Sequence, residues 1–119
     1  MDKKRILVVD DDSLNRRLVI TILSKKGIYE VLEAENGLEA LEVIAKKDVD
    51  LIFLDLIMPV MNGIEFLNKF NPKKNNIPVI VLTTDDSKIQ EAKLAGATEV
   101  IIKPITPVSI LEKTDEYLK

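Results

Sequence analysis

Four positions in this 119-residue chain carry side chains suited to metal or phosphate chemistry, and each lies at the end of an apolar run. Ile6-Leu7-Val8-Val9 leads into Asp10-Asp11-Asp12. Leu51-Ile52-Phe53-Leu54 leads into Asp55. Val79-Ile80-Val81-Leu82 leads into Thr83-Thr84, and Val100-Ile101-Ile102 into Lys103-Pro104. Clustered carboxylates repel one another, so a site that gathers them needs a cation or shared protons. Oxygen donors without nitrogen or sulfur favour Mg²⁺ over zinc, and Mg²⁺ held by one or two carboxylates usually serves a phosphoryl group. A threonine hydroxyl and a lysine ammonium can hold phosphoryl oxygens that the metal does not. A carboxylate can itself be the covalent nucleophile, giving an aspartyl phosphate. Taken singly, each residue has a plainer reading. An Asp after a strand is usually a helix cap, which is the role expected for Asp12. A Thr or Lys-Pro at a strand end is usually satisfied locally. The coincidence on four strands is what points to one acidic, phosphate-handling site.

Such a site requires elements that bring the four positions together. Apolar runs of four to five residues without alternation read as strands buried on both faces, hence a parallel sheet. In open parallel sheets the carboxyl ends of the strands meet in one crevice, where ligands bind. Strand and helix signals alternate five times, the pattern of an α/β domain. Strands are predicted over 6–9, 29–34, 51–54, 79–82 and 100–102. The first helix is predicted over 14–26, with Leu14, Leu18, Val19, Ile22 and Leu23 inward and Gly27 as its stop. The second is capped by Asn36, with Leu38, Leu41, Ile44 and Ala45 inward. The third covers 63–70, with Ile64, Phe66 and Leu67 inward. A polar loop follows over 71–78. The fourth helix covers 87–94, and the fifth is capped by Thr106 with Pro107 at its first position.

Composition narrows the chemistry. Apolar residues make up 46% and charged residues 31%, with a net charge of −3, too mild to draw the chain to nucleic acid or membrane. No apolar run approaches a membrane span. There is no cysteine and no histidine. Thiolate chemistry, histidine triads and histidine metal sites are therefore excluded, which leaves carboxylates, hydroxyls and lysines. The absence of cysteine suits a cytoplasmic location. The length fits one domain over 1–119, without room for an output domain.

Val8-Val9-Asp10-Asp11, the stretch from Leu54 through Asp55-Leu56-Ile57-Met58-Pro59-Val60-Met61-Asn62 to Gly63, Leu82-Thr83-Thr84 and Lys103-Pro104 together resemble the receiver domain of two-component response regulators. The resemblance spans the chain and is similar to stand-alone chemotaxis-type receivers. It implies a flavodoxin-like, doubly wound (βα)₅ fold with a five-stranded parallel sheet in the order 2-1-3-4-5. It implies that Asp55 is the phosphoacceptor. Asp11 would ligate Mg²⁺ directly, and Asp10 through water. Asp55 and the backbone carbonyl of Ile57 would complete the protein ligands. Thr83 and Lys103 would bind the phosphoryl group, and the Lys103–Pro104 bond would be cis. The implied donor is a phosphohistidine on a sensor histidine kinase or phosphotransfer protein, and the implied output is docking onto a downstream protein. No direct contact with nucleic acid or membrane is expected. Such a protein promotes its own phosphotransfer and dephosphorylation but is not a classical enzyme. Val100 replaces the family's usual aromatic, Ile105 replaces a common Phe, and the stretch from Thr83 to Gly96 is about two residues short. Val100 gives some weight to an alternative, a receiver-like interaction module independent of phosphorylation. A flavin carrier is disfavoured because three aspartates occupy the place of its phosphate loop. An aspartyl phosphatase is disfavoured by Ile57, where a second acid would be needed.

Overall fold

The computed structural model describes residues 3–118. Its strands are β1 (Lys4–Val9), β2 (Tyr29–Ala34), β3 (Leu51–Asp55), β4 (Val79–Thr83) and β5 (Glu99–Ile102). They form one parallel sheet in the order β2-β1-β3-β4-β5. The helices are α1 (Ser13–Ser24), α2 (Gly37–Lys46), α3 (Gly63–Phe70), α4 (Pro72–Asn75), α5 (Ile89–Leu94) and α6 (Pro107–Tyr117). The loop predicted over 71–78 thus holds the short helix α4. Asn71 precedes it in the left-handed region at φ 54°, and its side-chain oxygen accepts from Lys74 N–H. The fourth predicted helix is a 3₁₀ turn over Asp86–Lys88 that runs into α5.

Successive strand residues point to opposite faces, and each face has its own core. Leu7, Val9, Ile52, Leu54, Val79 and Val81 pack with Ala40, Phe66, Leu67, Phe70 and Ala92 from α2, α3 and α5. Ile6, Val8, Leu51, Phe53, Ile80 and Leu82 pack with Val19, Ile22, Leu23 and Ile110 from α1 and α6. Phe66 and Phe70, one helical turn apart, stack with centroids 5.3 Å apart. Burying one such aliphatic or aromatic side chain contributes about 1.5–3 kcal/mol. All five residues of β3 and of β4 are buried, whereas β5 is half-buried. The centre of the sheet is therefore far more firmly held than its β5 edge.

Four inward assignments are corrected. Leu14 is 77% exposed and Leu18 is 43% exposed, and α1 buries only Val19, Ile22 and Leu23. The row Leu14–Leu18–Ile22 advances about 40° around the helix at each step, so its first members drift off the face that meets the sheet. Leu38 and Ala45 likewise lie on the outside of α2, which buries Gly37 and Ala40. α1 ends at Ser24 rather than Lys26, with Gly27 beyond it at φ 67°.

The chain goes from β1 outward to β2 and then returns to place β3 on the other side of β1. That reversal opens a crevice at the carboxyl ends of β1 and β3, between Asp10-Asp11 and Asp55.

Candidate functional site

The turn after β1 gives its three aspartates different positions. Asp10 is buried, and its N–H donates to the Ala34 carbonyl at 3.1 Å. Its Oδ1 accepts from Asp12 N–H at 2.9 Å. Asp12 turns outward and caps α1, accepting from Leu14 N–H at 2.9 Å and from Asn15 N–H at 3.4 Å. The expected cap is thus observed. Asp11 stays at the rim of the crevice and is exposed.

β3 ends on Asp55, which is buried. The chain then folds back over it. Gly63 N–H donates to the Leu56 carbonyl at 2.9 Å, and a Cβ on Gly63 would stand 2.6 Å from the Asp55 carbonyl oxygen. Only glycine permits that approach. Asn62 and Glu65 close a capping box at the start of α3, which anchors the far end of the loop. In between, Met61 N–H donates to the Pro59 carbonyl at 2.7 Å across Val60, whose φ is 67°. Gly37 N–H donates to the Met61 carbonyl at 2.9 Å, fastening α2 to the same loop. Ile57, two residues past Asp55, is 60% exposed.

Thr83, at the end of β4, is buried, and its hydroxyl oxygen accepts from Asp85 N–H at 3.1 Å. The Asp85 carboxylate is occupied in turn, accepting from both the N–H and the hydroxyl of Ser87. Lys103 N–H donates to the Thr83 carbonyl at 2.8 Å. The Lys103 ammonium lies 3.6 Å from Asp10 Oδ2 and 3.6 Å from Asp55 Oδ1. The Lys103–Pro104 bond is cis, as the resemblance implies.

Asp10, Asp11 and Asp55 place carboxylate oxygens within 4.8 Å of one another, and no other such acidic or nitrogen and sulfur donor group occurs among the described residues. Burial first, and then the Asp10 charge, push the Asp55 carboxyl up from 3.8 to about 6, against the opposing pull of Lys103 and the N–H groups of Ile57 and Leu56. Burial also raises Asp10, against the opposing pull of the Asp12 N–H and Lys103. One ammonium therefore does not neutralise three carboxylates. The donor set is all oxygen, partly buried and short of positive charge, which is the chemistry of a Mg²⁺ site.

All the predicted side chains of the site, Asp10, Asp11, Asp55, Thr83 and Lys103, thus come from strand ends that meet at one crevice. Arg16 is a neighbour that the motifs do not reveal. Its Nη1 donates to the Asp10 carbonyl at 2.7 Å, its Nε to Glu33 Oε1 at 2.8 Å, and Nη2 lies 3.8 Å from Glu35 Oε1. Helical phase is the signal that finds it. Arg16 stands three residues before Val19 and seven before Leu23, on the face α1 turns to the sheet.

The family model for the response regulator receiver domain matches residues 6–115. A chemotaxis protein CheY homolog of Campylobacter jejuni is 39% identical over 119 residues, covering 96% of this chain and 92% of that protein. The sporulation initiation phosphotransferase F of Bacillus subtilis is 37% identical over 120 residues, covering 99% and 96%. Among solved structures, the chemotaxis protein CheY4 of Vibrio cholerae aligns with a TM-score of 0.87 at 36% identity, over 98% of this chain and 100% of that one. A putative response regulator from Chloroflexus aurantiacus aligns with a TM-score of 0.90 at 28% identity, over 98% of each. With the sheet order and the acidic crevice, these matches show that the chain belongs to the response regulator receiver domain family.

Proposed function

We propose that this receiver takes a phosphoryl group onto Asp55 in a Mg²⁺-dependent reaction and signals by docking onto a partner. The observation that carries the reading is the meeting of Asp10, Asp11 and Asp55 within 4.8 Å, with Lys103 3.6 Å from two of them. Asp11 and Asp55, with the Ile57 carbonyl, would hold the metal directly, and Asp10 would hold it through water. The metal, when bound, supplies charge that neutralises the carboxylates and the transferring phosphoryl oxygens. An Asp55 carboxylate oxygen attacks phosphorus, forming a P–O bond as the bond from phosphorus to the donor's imidazole nitrogen breaks. Lys103 compensates the charge of the phosphoryl oxygens, and Thr83 donates its hydroxyl proton to one of them. The chain has no histidine, so the donor, a sensor kinase or phosphotransfer protein, is a second molecule.

The corrected residues of α1 support a docking place for that donor. Leu14 and Leu18 are exposed rather than core, and Leu18 shares a groove with Lys103, Pro104 and Ile105. An apolar surface beside the ammonium of the pocket suits an amphipathic helix presenting its phosphohistidine. The described residues include no helix long and apolar enough to cross a membrane, and a cytoplasmic location goes with the proposed donor.

The test is incubation with a small phosphodonor and Mg²⁺, read by intact mass. The parent gains one phosphoryl group. Asp55→Asn and chelation each prevent it. Equal labelling of the Asn variant overturns the assignment.

A further inference from the structure

Arg16 is a charged residue on the inner face of α1, with its side chain only 12% exposed, and the proposed chemistry gives it no task. Its helical neighbours on that face, Val19 and Leu23, are core residues. A guanidinium is kept in such a place only where its donors are satisfied. Here its fork is spread over the turn after β1 and the end of β2. One nitrogen reaches the Asp10 carbonyl at 2.7 Å, at the start of the turn that carries Asp10 and Asp11. Another reaches Glu33 at 2.8 Å, on β2, and the third faces Glu35 just past β2. The same turn is already held to β2 by Asp10 N–H and the Ala34 carbonyl, and internally by Asp12 N–H on Asp10 Oδ1. Arg16 therefore braces the one segment that supplies two of the three carboxylates.

We infer that Arg16 is a positioning residue: it clamps the Asp10–Asp12 turn to the end of β2 so that the Asp10 and Asp11 carboxylates are held ready for the metal. The clamp needs the planar fork, because a lysine ammonium is a single point charge that cannot span the Asp10 carbonyl and Glu33 in the same geometry. Charge and geometry act in opposite directions. Deleting a positive charge near the crevice strengthens cation binding, whereas loosening the turn weakens it. Partners that orient metal ligands in this way typically cost ten- to a hundredfold in affinity, on the order of those factors, when removed.

The inference rests on the proposed metal site, so the experiment has one arm that needs the metal and one that does not. Mg²⁺ binding is measured by calorimetry for the parent, Arg16→Lys, Arg16→Ala and Arg17→Ala. The last removes the same charge from an exposed neighbour on α1. Amide exchange is measured on the metal-free proteins. Arg16→Lys, which keeps the charge, is expected to bind Mg²⁺ about tenfold more weakly. Its Asp12 amide is expected to exchange faster while those of Leu23 and Phe53 stay at parent rates. Arg17→Ala is expected to bind as tightly as the parent or more so. Parent-like affinity and a protected Asp12 amide in Arg16→Lys overturn the inference. So does a loss of protection shared equally by Asp12, Leu23 and Phe53, which marks general destabilisation. If the parent itself does not bind Mg²⁺, the metal reading fails, and the Asp12 amide alone decides whether Arg16 holds the turn.

Discussion

On the β1–β3 side of the crevice, Asp10 is engaged at its N–H by Ala34, at its carbonyl by Arg16 and at its two carboxylate oxygens by Asp12 N–H and Lys103. On the β5 side, Val100 is half-buried and has no polar atom on its side chain to connect it to the crevice. Beyond its pairing with β4, β5 is tied to α6 through Glu99, which pairs with Lys113 at 2.5 Å and accepts from the Tyr117 hydroxyl. The acidic half is thus braced around the proposed metal position. The opposite half is tied down away from it. Under the proposed function, chemistry and read-out would rest on different contacts, so the first could be intact while the second is modest in amplitude.

The largest expected effect lies in the chemical half, where Asp55→Asn abolishes phosphorylation outright, as set out above. Next comes Gly63→Ala. Its new Cβ would stand 2.6 Å from the Asp55 carbonyl oxygen and 2.8 Å from Leu56 Cα, both backbone atoms that cannot swing aside. Overpacking of this kind costs about 1–3 kcal/mol. Urea unfolding should show that loss together with slower phosphorylation. A neutral substitution would mean the loop relaxes without disturbing Asp55.

Acidity separates the halves further. The folded Asp55 carboxyl holds its proton up to about pH 6, while the unfolded chain releases it near 3.8. Between those values the folded state binds more protons, so stability falls as pH rises through the window and the loss is complete above pH 6. The drop in metal-free protein is on the order of 3 kcal/mol. Saturating Mg²⁺ favours the ionised carboxylate and should flatten the trend. Thermal melts at pH 4 to 7, with and without Mg²⁺, check this, and a metal-free protein that gains stability from pH 4 to 6 would contradict it.

Lifetime of the phosphoryl group comes next. Ile57 is exposed beside the acceptor and cannot orient a water, and the Asp85 carboxylate is engaged with Ser87. Ile57→Asn is therefore expected to dephosphorylate several-fold faster. Unchanged decay would count against shielding by Ile57. The smallest effect belongs to the read-out half. With Thr83 drawn toward a phosphoryl mimic, its bond from Asp85 N–H is the one to yield, so amide exchange should change mainly over 84–87. The coupling to partner affinity should be about 1 kcal/mol. A large change along β5 or α6 would show that Val100 and the Glu99 tie do not limit the switch.

Four of the five strands and the meeting of the four chemical positions followed from apolar runs ending in polar residues, because a doubly covered parallel strand leaves that mark on a sequence. The strand order came from the resemblance to the receiver family, and the mixed run of β2 carries no such mark. Helix faces were harder. Leu14, Leu18 and Leu38 read as core because apolar residues at helical spacing usually are, yet one end of each row turns off the sheet. The short helix α4 was hidden among polar residues, since capping by Asn71 and Pro72 and not apolar spacing creates it. Arg16 escaped notice for a related reason. Its partners are the Asp10 carbonyl and two glutamates, and the glutamates come near only through the pairing of β1 with β2, a contact no local pattern encodes.

Val60 has a consequence for how this protein would respond to selection. A β-branched residue at φ 67° carries a steric cost that the three-residue turn closed by Pro59 and Met61 imposes, and its side chain is 75% exposed, so no core packing repays it. Asparagine tolerates that backbone region far better. A library screened only for heat resistance should therefore enrich Val60→Asn early. If the same library is screened for signalling and valine returns, position 60 is a place where the exposed side chain matters to a partner more than the turn matters to the fold.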